Sequence, residues 1–177
     1  MSRLNSITIF MISIFSLLAS VMANSLEFFT QDTTERTVFF TPNTGSAEVP
    51  SLFLPAKPVD KYAIVVQFPQ GWSGSFKAIL PGETPNVPKV TGEITFQGFQ
   101  GKSYYAVSAV DNCCDNSGIR YLVPKAHGDA SGCIMAQFPC TESYSRPGDM
   151  QVKSTSDSIG GNPSIEGFLG YSEHTKR

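Results

Sequence analysis

The stretch Gly92–Asp111, GEITFQGFQGKSYYAVSAVD, constrains the fold more than any other part of the chain. In Glu93–Phe96 the apolar residues Ile94 and Phe96 alternate with polar ones. Gln97-Gly98-Phe99-Gln100-Gly101 then breaks the run with two glycines. Ser103–Val110 sets Tyr105, Val107 and Ala109 on one face and Tyr104, Ala106, Ser108 and Val110 on the other. A period of two, rich in β-branched and aromatic residues and interrupted by glycine, predicts a strand, a tight corner and a returning strand.

The same grammar recurs along the chain. Arg36–Thr41 alternates Val38 and Phe40 against Thr37, Phe39 and Thr41, and Pro42-Asn43-Thr44-Gly45 supplies a turn. Ser51–Leu54 is a short strand closed by Pro55 and Pro58, which suits a sheet edge. Tyr62–Phe68 (YAIVVQF) is nearly continuous in apolar residues, which predicts burial on both faces. Phe76–Leu80 and Ile119–Val123 are further strands, and the three prolines of Pro81–Lys89 mark a loop. No stretch keeps a helical period. The 13 Phe, 6 Tyr, 15 Gly and 12 Pro favour strands and turns over helix. The expected fold class is an all-β antiparallel sandwich.

Residues 1–23 read as a secretory signal. Arg3 supplies the positive start, Ile7–Leu18 the apolar run, and Val21-Met22-Ala23 the small residues that favour cleavage after Ala23. The run is shorter than the ~20 residues of a membrane span. The expected organisation is therefore a signal at 1–23, a sandwich domain at 24–155 and a flexible tail at 156–177. The product is a secreted, extracellular monomer with no attachment to a membrane. Lys and Arg number 13 against 15 Asp and Glu, and the signal takes Arg3 from the basic side, so a nucleic-acid partner is excluded.

All four cysteines fall between 113 and 140, and an even number in a secreted chain predicts disulfides. The favoured pair is Cys133–Cys140, with Cys113 and Cys114 left as a vicinal pair or as free thiols. The alternative links each of the adjacent cysteines to a later one. No metal or cofactor is expected. The chain has no C-x-x-C, and Asp111, Asn112, Asp115 and Asn116 match no calcium-loop order.

Two segments resemble the thaumatin-like family: Phe68–Phe76 (FPQGWSGSF) and the Gly92–Asp111 run. Within that broad group the chain is most similar to small secreted fungal proteins that sometimes carry a DNase label. That similarity lies in Glu35–Pro42 (ERTVFFTP), GEITFQGFQG, YYAVSAV, Ser131–Cys133, Phe138–Cys140 and Tyr144. The resemblance implies a thaumatin-like sandwich with an acidic cleft and β-glucan as ligand. Glu93 and Asp111 match two acids of that cleft, whereas Ala106 and Ile79 stand where a third acid and an arginine would be.

Nuclease chemistry finds no support, for the chain lacks paired histidines and metal-binding carboxylates. His127 has a loop composition and His174 lies at the end of the chain. The Gly71–Ser75 run misses the nucleophile-elbow pattern at Ser75. Trp72, the lone Trp, either closes the core or stacks on a sugar. The reading is a non-catalytic binding protein with Glu93, Asp111 and Trp72 as its ligand residues and no catalytic ones. Its ligand is a cell-wall polysaccharide such as β-glucan. The rivals are a weak β-1,3-glucan hydrolase and a host-interaction protein whose partner is a host protein.

Overall fold

The computed structural model describes residues 24–56, 63–149, 151–155 and 163–171. The signal segment, its cleavage position, His174 and most of the expected tail lie outside these residues.

Eleven strands form two packed sheets among the described residues. They are β1 (Asn24–Thr30), β2 (Arg36–Pro42), β3 (Leu52–Leu54), β4 (Ile64–Phe68), β5 (Ser73–Ile79), β6 (Thr91–Thr95), β7 (Tyr104–Ser108), β8 (Ile119–Pro124), β9 (Ser131–Gly132), β10 (Lys153–Ser154) and β11 (Ser164–Leu169). One sheet has the order β4-β1-β11-β8-β9 and the other β10-β7-β6-β5-β2-β3. The architecture is the all-β sandwich that the alternating pattern predicts.

Each inner face follows from the period of two. Leu26 and Phe28 of β1, Val38 and Phe40 of β2, Phe76 of β5, Ile94 of β6 and Leu122 of β8 all join one apolar core. Aromatic rings fill its centre: Phe28 meets Phe76 edge-on at 5.6 Å, and Phe68 lies 5.3 Å from Phe96. Such pairs add about 1 kcal/mol each beyond their burial. Where a ring lies flat over the sheet, the strand beneath carries glycine. A Cβ on Gly92 would come within 2.4 Å of the Phe76 ring, and one on Gly74 within 2.6 Å of Trp72.

The β6–β7 hairpin pairs Thr91 with Ser108 through Thr95 with Tyr104. Its corner departs in detail from the glycine reading. Gln97 and Gln100 take left-handed backbone with Gly101, whereas Gly98 does not. The Gly98 amide donates to Lys102 O at 2.8 Å and closes the corner.

Two expectations are corrected. The run Tyr62–Phe68, expected to be buried on both faces, is not covered on both sides over its described part: β4 is an edge strand with β1 as its partner, and Val65 is 48% exposed. A long apolar run resembles a central strand, but among the described residues no second layer covers this outer face. Ser164–Leu169 is not tail. It is an inner strand, parallel to β1 and antiparallel to β8. Its alternation of Ile165, Gly167 and Leu169 inward is short, and the small polar residues before it hide it in composition.

Cys133 and Cys140 are disulfide-bonded, and Cys113 and Cys114 are free and exposed. The bond closes a loop of seven residues' separation, beneath which lies buried Arg120. The Arg120 guanidinium donates to Cys133 O at 2.9 Å and to Ala136 O.

Candidate functional site

Glu93 stands on the outer face of the six-stranded sheet. Its neighbours in register are Ser75 on β5 and Ala106 on β7. The flanking pairs are Ser73–Thr95 and Lys77–Thr91, so the surface around Glu93 is made of short hydroxyls and one cation. Ser73 Oγ lies 2.8 Å from Thr95 Oγ1, and Lys77 Nζ donates to Val87 O at 3.3 Å.

The chain after the disulfide loop returns beside β7. Tyr144 bridges Ser108 in parallel, and its carbonyl accepts from the Ala109 amide at 2.7 Å. This backbone contact fixes the phenol, whose hydroxyl donates to Glu93 Oε1. Tyr144 is 7% exposed. Burial, then the hydrogen bond to Glu93 and the charges of Glu93 and Asp111, push its phenol up to about 12, against a smaller opposing pull from Ser108. Tyr144 therefore stays protonated and donating at any physiological pH. Asp111, exposed just beyond β7, acts on the same phenol.

The fold thus joins Glu93 to Tyr144 by a hydrogen bond, and the charge of Asp111 is felt at the same phenol. The phenol occupies one Glu93 oxygen. Tyr144 has no local signal of this role in the sequence, because its place depends on pairing across 51 residues to Glu93.

Trp72 does not belong to this constellation. It is 1% exposed, packs 4.7 Å from Phe68 and donates its indole N–H to Ala47 O at 2.8 Å. With its faces packed in the core it offers no platform to a sugar. Ser73 lies within β5, not on a strand-to-helix turn, and its hydroxyl accepts from Asn43. The Asp111–Asn116 loop is held by its own side chains. Asp115 Oδ1 accepts from the Ser117 amide at 2.9 Å, and Asn116 Oδ1 accepts from the Phe138 amide at 2.8 Å. Among the described residues no group of three or more His, Cys, Asp or Glu is placed to hold a metal.

A second polar cluster, not foreseen from the sequence, ties the two sheets together at one end. Arg36, 1% exposed, donates to Ser117 O at 2.5 Å, Thr34 O at 2.6 Å and Asp32 Oδ2 at 2.6 Å. Burial raises the Asp32 carboxyl, but its hydrogen bonds to Arg36 and Thr34 and the Arg36 charge bring it below its ordinary value. Lys89 binds Glu83 at 2.9 Å and Ser117 Oγ at 3.0 Å, and lies 3.8 Å from Asp115. The buried cations Arg36 and Lys89 each have a carboxylate partner, as a charge removed from water requires.

No family model matches the chain. The antigenic protein SchS21 of Stachybotrys chartarum is 35% identical over 133 residues, which span 74% of this chain and 87% of that protein. The crystal structure of the protein elicitor MoHrip2 from Magnaporthe oryzae superposes with a TM-score of 0.61 at 18% identity, over 84% of this chain and all of that one. These findings overturn the thaumatin-like resemblance. The residues that suggested it are packing devices: Gly74 lies against Trp72, and Gly92 lies against Phe76. Alternating strands around such contacts recur wherever rings lie flat in a sandwich. Ala106 and Ile79 are accordingly buried residues of β7 and β5, not lost site residues. The β-glucan ligand and the hydrolase rival rested on that resemblance and lose their support with it. The chain belongs to the family of the antigenic protein SchS21.

Proposed function

We propose that this is a secreted host-interaction protein that works by recognition, with the Glu93–Tyr144–Asp111 ledge as the surface offered to a host protein. The observation that carries the reading is its membership of a fungal antigen's family. The fold shared with a protein elicitor points the same way. The signal read over residues 1–23 supports secretion. Among the described residues no helix is long and apolar enough to cross a membrane.

The chemistry of the ledge suits recognition. A general acid must carry a proton to deliver, and Tyr144, held up to about 12, gives its proton only to the hydrogen bond with Glu93. Hydrogen bonds accepted by charged groups are about twice as strong as neutral ones, so exposed Asp111 and the free side of Glu93 favour a partner rich in N–H donors.

The test applies the purified secreted protein to leaf tissue and records the oxidative burst, in parallel with reducing-end release from an insoluble β-1,3-glucan. The expected result is a dose-dependent burst, weakened at least tenfold by Glu93→Gln with Asp111→Asn, and no release of reducing ends. Sugar release abolished by the same double substitution would instead establish a hydrolase.

A further inference from the structure

Cys113 and Cys114 are the thiols that the Cys133–Cys140 bond leaves over. Both are free, exposed and adjacent in sequence. Side chains on either side hold the dipeptide outward. Asn112 Oδ1 accepts from the Cys114 amide at 3.2 Å, while its Nδ2 donates to Pro88 O at 3.3 Å. On the other side Asn116 Nδ2 donates to Cys114 O at 3.1 Å. Asn116 is itself anchored by the Phe138 amide at 2.8 Å. Exchange with a disulfide needs an accessible thiolate to attack and a second thiol close enough to resolve the mixed disulfide. This loop presents both in adjacent residues.

We propose that Cys113–Cys114 is a thiol–disulfide exchange site that reduces an accessible disulfide of another molecule and closes as a vicinal disulfide. The Cys113 thiolate attacks one sulfur of the substrate. The substrate S–S bond breaks, one of its sulfurs leaves and takes up a proton, and the other stays bonded to Cys113. Cys114 then gives its proton to solvent and attacks the Cys113 sulfur, and the second substrate thiol departs. One disulfide and two cysteine thiols become one vicinal disulfide and two substrate thiols, with two electrons passed to the substrate. The hydrogen bond with Cys113, then burial and the Cys113 charge, raise the Cys114 thiol. The other disulfide takes no part, for Cys133 is buried and already bonded.

The probe is oxidised glutathione, read by intact mass, thiol titration and non-reduced peptide mapping. The reduced wild type should titrate two thiols. After treatment it should titrate none, weigh two hydrogens less, carry no glutathione and release two glutathione thiols per chain. Cys114→Ser should stop at the mixed disulfide and hold one glutathione on Cys113. Both side chains are exposed, so serine should leave the fold intact, and a far-ultraviolet spectrum checks this. Should that variant fail to fold, the wild-type masses alone decide. A stable glutathione adduct on the wild type, a disulfide-linked dimer, or two thiols left unreacted would overturn the proposal.

Discussion

The six-stranded sheet is assembled largely from neighbours in sequence: β5, β6 and β7 pair in succession, and β3 follows β2. In the five-stranded sheet only β8 and β9 are both consecutive and paired, and its centre is the parallel pair β1–β11. One sheet is made by turns. The other waits for the far end of the described chain, with Leu26 beside Ile165 and Thr30 beside Leu169. Long-range pairing must first offset the entropy of closing the intervening loop. The candidate site lies on the first sheet, so damage to β11 should act on stability, and damage to the ledge should act on recognition.

The largest test of that difference is a chain ending at Thr155, which lacks β11. It leaves Phe28 and Leu122 uncovered and β1 and β8 without their shared neighbour. Circular dichroism should show no cooperative melt. A truncated chain that still melts cooperatively would make the five-stranded sheet dispensable.

Next in size is Arg36→Ala. Arg36 sits on β2 of one sheet and binds Ser117 O just before β8 of the other. Removing one partner of a buried ion pair costs about 3 kcal/mol, because Asp32 and the carbonyls are left behind. Urea unfolding should show this loss near neutral pH. It should shrink in acid, since a carboxyl held below its ordinary value contributes stability above that value and loses it as pH falls through the lowered one.

Core truncations should separate the inner strand from the edge. Val107, fully buried in β7, should cost about 2 kcal/mol as alanine. Val66 on edge strand β4 is only half-buried, and its truncation should cost less than about 1 kcal/mol. Equal losses would mean that β4 is packed as tightly as the centre.

The smallest effect belongs to the ledge. Tyr144→Phe removes one hydrogen bond to a half-exposed carboxylate and should cost about 1 kcal/mol. Its signature is alkaline. A phenol raised in the folded state contributes stability that is full below its ordinary 10.0 and is lost as pH rises through about 12. The wild type should therefore lose more stability across that interval than the phenylalanine variant does.

How much of this was legible follows the same division. Strands defined by their own alternation, such as β2 and the β6–β7 hairpin, could be read directly, because period and turn lie within a few residues of each other. The place of β4 could not, since the apolarity of Ile64–Phe68 does not say whether a second layer covers it. Strand β11 was hidden because six residues with Gly167 among them carry little pattern, and its position comes from β1 and β8. At the site, Glu93 and Asp111 could be named as acids near one hairpin. The phenol bound to Glu93 could not, since Tyr144 arrives through a loop that the disulfide and Asn116 shape.

Hydrogen exchange on the intact protein tests the central claim most directly, that Ser164–Leu169 is an inner strand closing the second sheet. The amides of Ile165–Leu169 should exchange as slowly as those of Thr91–Thr95 and Tyr104–Ser108, because opening β11 requires global unfolding. Rapid exchange across Ile165–Leu169 with the β6–β7 hairpin still protected would contradict it.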